Sequence, residues 1–129
     1  MSESPSAAAV RHALDGAGVA ATGEACDALA AYLVHLYEAN TRTNLTRIPI
    51  ADAPAMHVAD SAAVLRMLPA EPPLRVLDAG AGTGFPGVAV AALRPAWRVT
   101  LVESALRKVN ALRALCEAAG LTNVAVHHA

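Results

Sequence analysis

The sequence predicts an α/β protein: a small helical cap over residues 1–73, then a parallel sheet of three strands over 74–129. Three observations carry this. Apolar residues recur at three- and four-residue steps through the first half, the period of amphipathic helices. Pro69, Pro72 and Pro73 then break the pattern at the one clear boundary in the chain. Beyond it, short apolar runs alternate with helical stretches, and strands joined through helices imply a parallel sheet with right-handed crossovers.

In the cap, residues 1–5 read as a frayed tail and Ser6–Leu14 as a short helix stopped by Gly16 and Gly18. Thr22 is a candidate N-cap, with Glu24 in the first turn. From there Cys26, Leu29, Leu33, Leu36 and Tyr37 mark one buried face of a helix running to about Asn40. His35 lies beside this stripe as a partly exposed helix residue. The polar stretch Thr41–Pro49 interrupts the period. Its Asn and Thr residues suit turns, the favoured reading, and Arg42 and Arg47 suit phosphate contact as the alternative. Asp52 is a candidate N-cap for the next helix, with Pro54 in its first turn. There Val58, Ser61, Leu65 and Leu68 share a face. His57, Asp60 and Ser61 fall at i, i+3 and i+4 and so can be neighbours. They do not make a hydrolase triad, which needs groups converging from different elements beside an oxyanion site. A local His–Asp pair orienting a loop or capping a neighbouring element is expected instead.

In the second half, Leu74–Ala79 reads as a buried strand and Val88–Arg94 as a helix ended by Pro95. Arg98–Glu103 is the second strand. Ser104 is set to cap a helix whose buried face is Leu106, Val109, Leu112 and Leu115, with Gly120 at its C′ position. Asn123–His127 begins a third strand.

The chain of 129 residues is long enough for one domain or one domain plus a small cap. It is 55% hydrophobic but only 3% aromatic, so slender, alanine-rich helices are expected to pack closely. A net charge of −1 provides no global basic field and leaves a local basic patch open. Cys26 and Cys116 lie far apart and read as buried thiols. No basic segment followed by an apolar run opens the chain, and no apolar run approaches the roughly 20 residues of a membrane span. A cytoplasmic protein with no metal site and no membrane partner is the expectation.

The chemistry centres on Asp78-Ala-Gly80-Ala-Gly82-Thr-Gly84-Phe-Pro-Gly87, which joins the first strand to its helix. Gly82-Thr-Gly84-Phe-Pro-Gly87 fits the dinucleotide pattern G-x-G-x-x-G, and Glu103 ends the next strand, where an acid takes ribose hydroxyls. Readers of nicotinamide cofactors and of S-adenosylmethionine share that acid. Two features favour the methyl donor. The glycine series starts early, at Gly80, and Asp78 precedes it. A carboxylate there repels a pyrophosphate but suits the cationic amino-acid end of S-adenosylmethionine. Pro86 also removes an N–H where a phosphate would want donors.

The chain resembles the RsmG (GidB) family, methyltransferases acting on guanine N7 of bacterial small-subunit (16S) ribosomal RNA. The resemblance rests on Asn44-Leu45-Thr46, His57-Val-Ala-Asp60-Ser61, Asp78 through Gly87, Arg94-Pro95, Val99 through Ser104, Arg107-Lys108, Leu112-Arg113 and Gly120 through Val124, in order over about residues 40–125. It implies a Rossmann-like class I methyltransferase fold, here the N-terminal half of the sheet behind a helical cap. It implies S-adenosylmethionine at Gly80, Gly82, Gly84 and Phe85, with Glu103 on the ribose, beside the Asp78 read above from the residues. Asn44, His57, Asp60 and Ser61 would lie near the site mouth. Arg107, Lys108 and Arg113 either touch RNA phosphate or form a solvated helix face. The implied partner is small-subunit ribosomal RNA or its ribosomal particle. Family members continue past the position of Ala129, with an acidic motif at the adenine and further strands beside the first one. A C-terminally truncated chain with a bare edge on its first strand is therefore the expectation. Two other readings accompany it: a non-catalytic donor-binding fragment and an NAD(P)-binding Rossmann oxidoreductase.

Overall fold

The computed structural model describes residues 5–129; most of the expected tail, residues 1–4, lies outside them. The cap opens with α1 (Ala7–Gly16), capped by Ser6, whose hydroxyl accepts the Ala9 N–H at 3.1 Å. Thr22 caps α2 (Gly23–Asn40) in the same way through the Ala25 N–H, also at 3.1 Å. Both caps satisfy amide groups that the first turn leaves free. The buried stripe of α2 is Ala25, Cys26, Leu29, Ala30, Tyr32, Leu33 and Leu36, and Tyr37 is half-buried at its margin.

The next helix departs from expectation. A 3₁₀ turn, Ile50–Asp52, leads into a widened π-type stretch, Pro54–Ala59, then a single α turn, α3 (Asp60–Ala62), and a 3₁₀ end, Ala63–Met67. Asp52 lies inside the first turn and makes no side-chain cap. Changes of winding alter which residues share a face. The buried set is accordingly His57, Val58, Ser61, Ala62 and Leu65, with Leu68 only half-buried. α1 packs across both this segment and α2.

Three parallel strands follow in the order β1 (Arg75–Ala79), β2 (Arg98–Glu103), β3 (Val124–His128). α4 (Gly87–Leu93) and α5 (Leu106–Ala118) connect them, and α2 lies against both. Val99, Leu101 and Glu103 point into the buried layer while Thr100 and Val102 on the opposite face are only half-covered. β1 is therefore not the buried strand expected. Among the described residues it pairs only with β2, and Leu77, on the uncovered face, is 67% exposed. The first residue of α5 also differs: Leu106 is 54% exposed because it lies on the first turn of the helix, outside the Val109, Leu112, Leu115 stripe. Gly120 (φ 71°) ends α5 as expected, with Leu121 N–H reaching the Cys116 carbonyl and Gly120 N–H that of Glu117, a Schellman closure.

A single hydrophobic cluster runs from Val10 and Leu14 through α2 and α4 to Leu101 and Leu112, so cap and sheet share one core. Both cysteines are buried and free, and burial pushes the Cys116 thiol up to about 11. At the amino ends of the strands, the Asn123 side-chain amide donates to the carbonyls of Ala91, Arg94 and Trp97, fixing the turn between α4 and β2. All seven residues of α4 are buried. Its packing on the sheet depends on Gly87, where an added methyl would run into the Leu101 side chain and stand 3.0 Å from Asp78 Oδ2. Gly87→Ala is expected to lower stability by about 1–3 kcal/mol through overpacking, read as a reduced urea midpoint at unchanged slope.

Candidate donor site and its substrate-side lip

The glycine loop starts by bending off β1 across the end of β2. The N–H groups of Gly80 and Ala81 both reach the Val102 carbonyl, at 2.8 and 3.0 Å. Gly84 N–H then returns to the Ala81 carbonyl at 2.8 Å, closing a tight turn. Gly80, Gly82 and Gly84 have φ of 70°, 55° and 96°, a region that side chains disfavour. Conformation alone does not separate them; their surroundings do. A Cβ on Gly80 would meet nothing within 4 Å, and one on Gly82 only the loop's own Gly80 carbonyl at 3.8 Å. These two leave open space above the main chain for a ligand. A Cβ on Gly84 would collide with the Tyr32 hydroxyl and press on Val88 at 3.0 Å, so Gly84 also has a packing reason to be glycine.

Two acids brace the loop. Asp78 Oδ2 accepts the Gly87 N–H at 3.0 Å; burial raises its pKa and that hydrogen bond opposes the rise. Glu103 Oε2 accepts the Ala105 N–H at 2.8 Å and Oε1 the Gly82 N–H at 3.2 Å. The Ala105 N–H is the main reason its pKa lies below the ordinary glutamate range; burial opposes this, and Gly82 N–H and the Lys108 cation add to it. Its charge therefore supports the fold above the ordinary glutamate pKa, and that support is lost as pH falls through the folded value. Glu103, not Ser104, meets the free amide before α5, which has no side-chain cap of its own. A carboxylate has about four acceptor positions. Two are used here, so Glu103 retains capacity for ligand hydroxyls and the loop fits an adenosine-bearing donor.

On the cap side, Asn40 organises the polar loop. Its Oδ1 accepts the N–H groups of Leu45 and Thr46, at 2.8 and 3.0 Å, and its Nδ2 donates to the Thr46 carbonyl. Asn40 and Thr46 thus build the turn here. Thr46 Oγ1 lies 3.0 Å from His57 Nε2 and also accepts the Ile48 N–H. The His57 ring stacks on Phe85, centroids 5.1 Å apart and planes 25° apart, and meets Tyr37 at 6.4 Å. The expected His57–Asp60 pair is absent among the described residues. His57 turns inward to Thr46 and Phe85 from the widened stretch, while Asp60 is exposed and Ser61 buried.

Asn44, Arg107 and Lys108 do converge. With Arg42, Thr43 and Ala105 they line a concavity beside the end of β2, and Asn44 and Lys108 line a second one with Leu45, Thr46 and Arg47. Arg107 also donates to the Arg42 carbonyl at 3.4 Å. Arg113 instead donates to the Val126 carbonyl, tying α5 to β3. Another concavity, around Pro95–Thr100 and Thr122–Ala125, opens at the amino ends of the strands, away from the loop; ligands of parallel sheets bind at the other end. Among the described residues no three His, Cys, Asp or Glu side chains gather as a metal would need, and no helix is long and apolar enough to cross a membrane.

Tyr32 and Asn40 are the site-shaping residues that sequence reasoning missed, together with the bond between Thr46 and His57. Tyr32 donates to the Thr83 carbonyl at 2.7 Å and meets Phe85 edge-on at 5.4 Å. A signal existed for it: a tyrosine beside the Leu29–Leu33–Leu36 stripe is buried, and a buried phenol needs a partner.

A glycine loop braced on the acid that ends the next parallel strand, beneath a helical cap, defines a Rossmann-like α/β protein. The family profile for rRNA small subunit methyltransferase G (GidB) matches residues 25–129, and the chain belongs to that family. It is 36% identical over 129 residues to ribosomal RNA small subunit methyltransferase G 1 of Syntrophobacter fumaroxidans, covering 99% of this chain and 58% of the relative. The protein named ribosomal RNA small subunit methyltransferase G in Nitrosospira multiformis is 42% identical over 96 residues, and the one in Nitrosomonas europaea 37% over 106; these matches cover 74% and 81% of this chain, and 43% and 48% of the relatives. The chain thus spans about half the length of these curated relatives.

His57 carries a pH signature. Burial lowers its pKa from 6.5, so the unfolded chain takes up that proton first as pH falls. Stability contributed by neutral His57 is full above 6.5 and declines from there down to the folded value. His57→Gln is expected to flatten the change in urea midpoint across that window, measured against the parent chain at matched ionic strength.

Proposed function

We propose that the chain binds S-adenosylmethionine on the Gly80–Phe85 loop and serves methyl transfer to guanine N7 of small-subunit ribosomal RNA. The observation that carries this is Glu103. It is buried, ionised and braced on the Gly82 N–H, at the carboxyl end of β2, with open space above Gly80 and Gly82. The family match favours methyl transfer over the nicotinamide reading. In this reading Glu103 takes the ribose hydroxyls and Asp78 faces the cationic amino-acid end, with Gly80, Gly82, Gly84 and Phe85 around the donor. The sheet half, residues 74–129, acts as the donor-binding unit and residues 1–73 as the cap over the substrate.

When bound, the donor supplies an electrophilic methyl group on a sulfonium that leaves as a neutral thioether. Guanine N7 already presents a lone pair, so no residue of the chain has to remove a proton. The residues instead hold the acceptor in line and accommodate a cationic purine. Asn44 and the buried His57 and Ser61 form the cap side of the mouth, and Asp60 lies exposed one turn beyond His57. Arg107 and Lys108, with Arg42 and Arg47 across the two concavities, present cations to the RNA backbone. In this reading the protein is a cytoplasmic enzyme of ribosomal RNA processing.

Calorimetric titration with S-adenosylmethionine and with NAD tests the donor. S-adenosylmethionine is expected to bind and NAD not to; tight NAD binding would reverse the reading. Glu103→Ala is expected to weaken S-adenosylmethionine about tenfold or more, since hydrogen bonds to a charged group contribute about 1.5–3 kcal/mol. Incorporation of labelled methyl into small-subunit RNA separates a working enzyme from a donor-binding fragment.

The cationic lip has its own test. Changing Arg107 and Lys108 together to alanine is expected to weaken RNA binding across sequences and to reduce the salt slope by about 1 for each phosphate no longer neutralised. An unchanged slope would return these side chains to a solvated helix face.

A further inference from the structure

We propose that Tyr32 is a positioning residue for the donor loop, reaching from the helical cap to hold Thr83 and Phe85 in the shape that presents Gly80 and Gly82 to a ligand. The proposal rests on the reading of that loop as the donor site.

Tyr32 lies fully buried in the middle of α2, and its hydroxyl donates at 2.7 Å to the carbonyl of Thr83, 51 residues further along the chain. Thr83 is flanked by Gly82 and Gly84, both at positive φ. Peptide units between glycines have little intrinsic preference for one orientation, so an external bond to this carbonyl selects one. Burial raises the Tyr32 phenol well above its ordinary value, so the O–H remains a donor throughout the physiological range. The space beside Gly84 is filled by the same hydroxyl.

The ring extends the clamp. It meets Phe85 edge-on, at 5.4 Å and 88°, while His57 stacks on Phe85 at 5.1 Å. His57 in turn bonds Thr46, next to the substrate-side loop. A continuous path of touching groups therefore links Thr83, Tyr32, Phe85, His57 and Thr46. Tyr32 and His57, both from the cap, act on the one phenylalanine of the donor loop.

Tyr32→Phe keeps the ring and removes only the O–H. In the unliganded variant, amide hydrogen exchange is expected to rise about tenfold across Gly82–Phe85 and to stay unchanged in β2 and α5. S-adenosylmethionine affinity is expected to fall about five- to tenfold at temperatures well below Tm. A uniform rise in exchange tracking a lower Tm would overturn the proposal in favour of a core tyrosine. Unchanged exchange, or loop-confined exchange with unchanged donor affinity, would overturn it as well. If the parent chain binds no S-adenosylmethionine, the donor reading and the positioning role fall together, and the exchange measurement still decides whether Tyr32 clamps the loop.

Discussion

The Glu103 carboxylate is the constraint on which the site depends. Three features meet at it: the end of β2, the turn at Gly82 and the start of α5. Each oxygen accepts one amide N–H, so the position of the glycine loop and the origin of α5 are set by one side chain. A buried ion is costly unless its hydrogen bonds are satisfied. Here backbone amides supply that satisfaction, supplemented by Lys108. The charge is thereby fixed at the carboxyl end of the sheet before any ligand arrives, which is the preorganisation a binding site needs.

The glycines of the loop divide their work. Gly80 and Gly82 have nothing above them but solvent and the loop itself, whereas Gly84 and Gly87 make room for Tyr32 and Leu101. All four look alike in a sequence pattern, yet only two leave the main chain open to a ligand. The other two let the cap and the sheet approach from opposite directions. A substitution at each would fail for a different reason, one by filling the space for a ligand and another by disturbing the core.

Much of the architecture was legible because it follows from local rules. Thr22 and Gly120 cap helices as their chemistry dictates, and strands alternating with helices assembled as a parallel sheet. The loop and its acid were legible because their spacing carries a mechanism. What was not legible depends on tertiary packing. Nothing local announces that the helix after Pro49 changes winding three times, yet that change turns His57 toward Phe85 and leaves Asp60 in solvent. The exposure of Leu77 depends on which strands flank β1, a property of the sheet rather than of the residue. Tyr32 falls within a predicted helix, but its partner, 51 residues away, is visible only once the cap is folded onto the loop.

The proline boundary marks a change of pattern along the chain, but packing runs across it. Phe85 is gripped by Tyr32 from α2 and by His57 from the segment before β1. Tyr37 and Thr46 complete the surroundings of His57, and Asn40 holds the Thr46 backbone. The loop that would hold a donor and the loop that carries Asn44 thus share a small set of buried and half-buried aromatic and hydroxyl groups. Because protein interiors are close-packed, a shift at one side of such a set must be accommodated at the other. The cap is therefore part of the floor beneath the glycine loop as well as a cover beside it. Its helices set the shape of the glycine turn through Tyr32 while their loops form the opposite lip through Asn44 and Arg42.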